Sequence, residues 1–72
     1  MTKQPKLSLL LHGAKERAGI TNEQIRDRTG IGINRVTTLL DYPELMTISN
    51  LISVARVLNV PAEEIRDNLT FK

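Results

Sequence analysis

Hydrophobic residues recur about every three or four positions along nearly the whole chain, the spacing that puts them on one face of an α-helix. The alternation of apolar and polar residues that is typical of a β-strand is missing. We therefore predict an all-α fold of five short helices. The first covers about residues 7–18 and ends at Gly19. The residues expected on its apolar face are Leu7, Leu10, Leu11, Ala14 and Ala18.

A short turn that contains glycine separates the second and third predicted helices. Thr21 and Gln24 have the spacing of a capping box, in which each side chain accepts a hydrogen bond from the backbone N–H of the other residue. The second helix therefore begins there, and it is expected to end near Thr29, before Gly30. The third helix covers about residues 33–40. Its expected buried stripe is Val36, Leu39 and Leu40.

The fourth and fifth helices follow a break at Pro43, which cannot continue a helix. The fourth covers about residues 47–58, and its apolar residues occupy most of its circumference. They are Ile48, Leu51, Ile52, Val54, Ala55, Val57 and Leu58. We therefore expect this helix to be nearly surrounded, as the central helix of the core. Pro61 is expected to open the fifth helix, which has one apolar stripe.

Composition restricts the class of protein. The chain of 72 residues forms one domain with a small core, and we expect residues 7–72 to follow a flexible basic arm, residues 1–6. It has no cysteine and no apolar run that could span a membrane, which fits a cytoplasmic protein. A net charge of +2 permits nucleic acid as a partner. The chain has only two aromatic residues, Tyr42 and Phe71, so it lacks the set of rings on which the bases of single-stranded nucleic acid stack.

The close succession of the second and third helices around a glycine turn is the architecture of a helix-turn-helix. In such a unit the second of the two helices lies in the major groove of double-stranded DNA, while the first crosses the phosphate backbone. With the apolar stripe inside, the outward-facing residues of the third helix are Ile33, Asn34, Arg35, Thr37 and Thr38. We expect this face to meet DNA.

Two stretches, TNEQIRDRTGIGINRVTTLL and LISVARVLNVPAEEI, resemble the lambda-repressor/Cro-like helix-turn-helix family. The resemblance implies a five-helix DNA-binding domain whose recognition helix reads bases with its opening residues, Ile33 and Asn34, and with Thr38 one turn further on. It also implies that Asn22 contacts a phosphate and supports the first recognition residue. The basic N-terminal arm of the family, which wraps the duplex, corresponds to Lys3 and Lys6.

Several residues depart from the family pattern and leave alternatives open. Arg26 stands where a small residue is usual, and Asp41 and Glu44 bring negative charge toward the proposed DNA face. Arg35 is expected either to contact phosphate or to form a surface ion pair with one of these two acids. The acidic residues and the modest net charge also fit a second class of function, a protein-interaction module such as an antitoxin-like or regulatory subunit.

The leading prediction is a sequence-specific transcriptional regulator of double-stranded DNA, most consistent with a phage- or plasmid-type repressor that binds a palindromic operator as a homodimer. Ile65, Leu69 and Phe71 either complete the monomer core or form the dimer surface. No enzyme activity, cofactor, metal or small-molecule ligand is expected, because no nucleophile stands with a base at motif spacing and there is no glycine-rich phosphate loop. His12 is a lone histidine, for which a packing or surface role is expected.

Overall fold

A computed structural model describes residues 3–70 as an arrangement of short helices without a strand. The predicted all-α fold of five α-helices is confirmed for this part of the chain. The helices are α1 (Pro5–Ala18), α2 (Asn22–Thr29), α3 (Ile33–Asp41), α4 (Ile48–Val57) and α5 (Ala62–Asp67). A single 3-10 turn, Pro43–Leu45, joins α3 to the segment before α4. Across these residues, no helix has the length and apolar character needed to cross a membrane.

The prediction that the flexible arm extends to residue 6 is wrong, because the first helix begins earlier than expected. α1 starts at Pro5, where proline's fixed φ suits the first helical turn, so Lys6 belongs to the helix and not to an arm. The side chain of Gln4 binds the backbone of Thr70 twice, with Nε2 donating to the carbonyl oxygen at 3.0 Å and Oε1 accepting from N–H at 2.6 Å. The backbone N–H of Gln4 donates to Glu44 Oε1 at 3.2 Å. The two ends of the described chain are thereby fastened together.

The predicted capping box of α2 is confirmed. Gln24 N–H donates to Thr21 Oγ1 at 3.2 Å, and Thr21 N–H donates to Gln24 Oε1 at 2.9 Å. At its other end, α2 stops at Gly30, whose φ of 78° is left-handed. The Thr29 side chain makes two hydrogen bonds at this turn. Its hydroxyl donates to the Ile25 carbonyl at 2.7 Å and accepts from Ile31 N–H at 3.2 Å. A short polar side chain therefore stabilises the link between α2 and α3.

Every α-helix except α5 contributes buried residues to the core. It contains Leu7, Leu11, Ala14, Ile25, Ile31, Val36, Leu39, Leu40, Val54, Ala55, Leu58 and Val60. The predicted stripe of α3 is confirmed in full. On α1, Leu10 is partly buried and packs against the core as predicted, whereas the prediction was wrong for Ala18, which is exposed. Burial of this apolar surface is the main stabilising term, as the described chain contains no disulfide.

The expectation that α4 is nearly surrounded is wrong. Only Val54 and Ala55 are buried within this helix, while Ile48 is 78% exposed and Ile52 is 47% exposed. The physical reason is the shortness of α5, which has six residues and covers only one flank of α4. An open apolar groove remains between the two helices, and we call it the α4–α5 groove. Its lining includes Ile48, Leu51, Ile52, Ala55, Ile65 and Leu69.

Candidate nucleic-acid interface

One face of α3 is polar and accessible while the other is locked into the core. Successive residues of an α-helix are about 100° apart, so Asn34, Thr37 and Thr38 project from one side. All three are exposed. The opposite side carries the buried stripe, each member of which is at most 2% exposed. The helix is thus held rigidly with a row of hydrogen-bonding side chains facing solvent.

Ile33 and Arg35 lie at the two margins of this polar face. Ile33 is half-buried, so only part of its side chain is available for contact. Arg35 is exposed, and no acidic side chain among residues 3–70 lies within ion-pair distance of it. The predicted alternative of an ion pair with Asp41 or Glu44 is therefore wrong for the described chain. The guanidinium of Arg35 is available for an anion outside the domain.

The two acids have other partners. Asp41 Oδ1 lies 2.9 Å from His12 Nε2, which links α3 to α1, and Glu44 accepts the N–H of Gln4. Asp41 follows Thr37 by four residues, about one helical turn, so the two residues lie on the same side of α3. The expectation that His12 has only a packing or surface role missed this contact.

Asn22 lies between α1 and α3. Its Oδ1 accepts a hydrogen bond from Lys15 Nζ at 2.8 Å, and its Nδ2 donates to Thr37 Oγ1 at 3.2 Å. The resemblance implied that Asn22 supports the first recognition residue, Ile33, but the contact is with Thr37, one turn later. Lys15 did not stand out in the sequence because its spacing of seven residues from Asn22 matches no local motif.

The threonine hydroxyls of α3 also bond to the helix backbone. Thr37 Oγ1 donates to the Ile33 carbonyl at 3.3 Å, and Thr38 Oγ1 donates to the Asn34 carbonyl at 3.1 Å. A hydroxyl has one hydrogen and two lone pairs. Both threonines therefore present an acceptor and a methyl group to solvent, while the exposed Asn34 amide presents both a donor and an acceptor.

No protein family, curated protein or solved structure matches the chain. The functional interpretation therefore rests on the residues and their geometry.

Basic residues surround the polar face unevenly. Arg26 on α2 is 45% exposed, and its Nε lies 3.1 Å from Asp27 Oδ1. Lys3 and Lys6 are exposed, and they flank Gln4, which binds Glu44. α1 also contacts the end of α3, where Ser8 Oγ donates to the Leu40 carbonyl at 2.8 Å. The two lysines therefore lie toward the end of α3 and away from Asn34 at its start.

The residues predicted for dimerisation lie on a separate surface. Ile65 and Leu69 are half-buried and line the α4–α5 groove together with Ile48 and Ile52. Phe71 lies outside the described residues. Within residues 3–70, no three His, Cys, Asp or Glu side chains form a group that could hold a metal ion.

Proposed function

We propose that this protein is a sequence-specific transcriptional regulator that binds double-stranded DNA, with α2 and α3 acting as a helix-turn-helix and α3 entering the major groove. The observation that carries the proposal is the exposed row of Asn34, Thr37 and Thr38 on a helix whose opposite side is buried. A phage- or plasmid-type repressor is the class of regulator that the resemblance favours.

The chemistry of the row suits base edges. The major groove is about 12 Å wide and admits one α-helix. Asparagine can pair with both N6 and N7 of adenine, and a threonine methyl group can contact the methyl group of thymine. None of the side-chain hydrogen bonds within residues 3–70 involves the side-chain amide of Asn34, since Thr38 Oγ1 donates to the backbone carbonyl of Asn34. Asn34 is therefore the strongest candidate for direct base reading, and Ile33 contributes at most an apolar contact.

Phosphate contacts would supply the affinity that does not depend on sequence. Arg35, at the margin of the polar face, and Asn22, at the start of α2, are placed to flank the bases read by α3. Asn22 retains one N–H after its contact with Thr37, since an amide nitrogen carries two hydrogens. Lys3 and Lys6 would contact the backbone near the end of α3.

Binding to a palindromic operator requires a dimer, and the α4–α5 groove supports one. We propose that a second copy of the chain covers it, with Ile65 and Leu69 at the contact and the exposed Ile48 and Ile52 beside them. Two recognition helices related by a two-fold axis read half-sites about 34 Å apart, one turn of DNA. Occupation of such a site would repress transcription by excluding polymerase.

Selection of bound sequences from a random duplex library, at two salt concentrations, tests the proposal. We expect an enriched palindrome with half-sites about one turn apart, bound more weakly at the higher salt. Asn34→Ala should change the preferred base at defined positions. Asn68→Ala, which truncates the same kind of side chain at the C-cap of α5, should leave the preference of the parent intact. Absence of an enriched sequence at either salt concentration would contradict the DNA-binding proposal.

The second candidate function is a protein-interaction module on the same fold, and the α4–α5 groove favours it. An exposed apolar surface of this kind is typical of a docking site for another protein. A salt titration of binding affinity distinguishes the two functions. DNA binding weakens steeply as the salt concentration rises, whereas binding through a largely apolar interface does not.

A further inference from the structure

Three side chains from three different helices form a continuous hydrogen-bonded chain that ends at the polar face of α3. Lys15 of α1 donates to Asn22 of α2 at 2.8 Å, and Asn22 donates to Thr37 of α3 at 3.2 Å. Lys15 and Asn22 are half-buried, while Thr37 is exposed. A residue of α1 is thereby linked to the face that the proposed function assigns to DNA.

Lys15 sets the direction of each hydrogen bond in this series. A lysine ammonium can only donate, so the Asn22 amide must turn its oxygen toward Lys15. Its NH2 group then faces Thr37, whose oxygen accepts. The single hydrogen of the Thr37 hydroxyl is left to donate to the Ile33 carbonyl at 3.3 Å. Thr37 therefore has no hydrogen to offer to a ligand, and one lone pair remains.

We propose that Lys15 is a positioning residue that determines base specificity through Asn22 and Thr37. Because Thr37 can only accept, it selects a base edge that donates in the major groove, N6 of adenine or N4 of cytosine. It discriminates against guanine and thymine, whose O6, N7 and O4 atoms are acceptors. This inference rests on the proposed DNA-binding function and adds a specificity residue that does not itself contact a base.

The test uses the full chain and the same library selection. Thr37→Val keeps the shape and a methyl group but removes the hydroxyl, so the operator position that it changes is the one read by Thr37. At that position the parent should prefer adenine or cytosine over guanine and thymine by about 2- to 10-fold, the effect of one hydrogen bond. Lys15→Met releases the Asn22 amide, which can then accept from Thr37, and the preference should fall toward 1-fold.

Matched variants separate positioning from charge and from folding. Lys15→Arg keeps a donor-only side chain and should keep the preference. Lys15→Gln can donate or accept, so it should lose the preference without placing an apolar chain on the surface. Arg17→Met removes the same unit of charge from α1 and should change affinity without changing the base profile. Thermal melts of each variant confirm that the helices are intact.

Each outcome bears on a different claim. If the parent enriches an operator but Lys15→Met and Lys15→Gln retain its base profile, the positioning role is wrong and DNA binding stands. The same conclusion follows if Thr37→Val changes no position. If the parent enriches no sequence, the proposed function fails and the positioning role fails with it. Loss of preference in both Lys15 variants, with retention in Lys15→Arg, supports the inference.

Discussion

Gly30 and Gly32 stand close together in the link between α2 and α3, but only Gly30 requires glycine. Gly30 has φ 78° and ψ 4°, in the left-handed region, whereas Gly32 has φ −58° and ψ 147°, which any residue can adopt. A Cβ atom built at either position meets nothing within 4 Å. Alanine substitutions at the two positions therefore differ in backbone strain and not in crowding.

The expected stabilities follow from three terms. The left-handed conformation costs an alanine roughly 1–2 kcal/mol. Loss of glycine restricts the unfolded chain and stabilises both variants by about 0.4–1 kcal/mol. At Gly32, the N-cap of α3, the preference for glycine over alanine is roughly 0.5–1 kcal/mol and offsets that gain. Gly32→Ala should therefore match the parent, while Gly30→Ala should lose about 1 kcal/mol, or about 4–8 °C in Tm.

Urea denaturation followed by helical circular dichroism measures the free energy of unfolding of both variants. They have the same composition, so effects on the unfolded chain nearly cancel in the comparison. Gly30→Asn is the control, because asparagine tolerates the left-handed region better than alanine and should recover part of the loss. Equal stabilities for the two alanine variants, or a lower value for Gly32→Ala, would refute the assignment of strain to position 30.

Three further substitutions test other parts of the molecule. Gly13→Ala should raise the free energy of unfolding by about 0.5–1 kcal/mol, because its Cβ meets only the flexible end of Arg17 at 3.3 Å; an unchanged or lower urea midpoint contradicts this. Gln4→Ala should lower it by about 1–2 kcal/mol through loss of two hydrogen bonds to the backbone, and a neutral result would show that the clasp adds no stability. Ile48→Lys should shift sedimentation toward monomer, whereas Leu9→Lys, on a residue 74% exposed outside the α4–α5 groove, should not; equal effects would exclude the groove as the dimer surface.

Local patterns predicted the parts of this fold that local interactions determine. The capping box of Thr21 and Gln24 spans one helical turn, and the buried stripe of α3 follows from helical periodicity alone. Contacts between distant residues could not be predicted in this way. His12 and Asp41 are 29 positions apart, and Gln4 reaches a backbone 66 positions away. No spacing rule links such pairs, because their proximity depends on how the helices pack.

The error at α4 has a different physical origin. Hydrophobic periodicity reports which side of a helix is apolar, but it does not report whether another element exists to cover that side. In α4 the apolar residues extend around to Ile48 and Ile52, and the six-residue α5 is too short to reach them. The mismatch between an extended apolar face and a small covering helix is the feature that makes an additional chain on this surface physically reasonable.

Charge differs between the two ends of α3, and this difference bears on how DNA would approach. From Thr29 to Leu40 there is no acidic residue, and Arg35 in this stretch has no ion-pair partner within the described chain. The end of the helix carries Asp41, which is paired with His12. A phosphate backbone on this face would meet the Arg35 guanidinium near the start of α3, whereas near its end the Asp41 carboxylate would oppose the attraction of Lys3 and Lys6. This asymmetry favours a docking in which the start of α3 lies deepest in the major groove, which is also where the unoccupied amide of Asn34 lies.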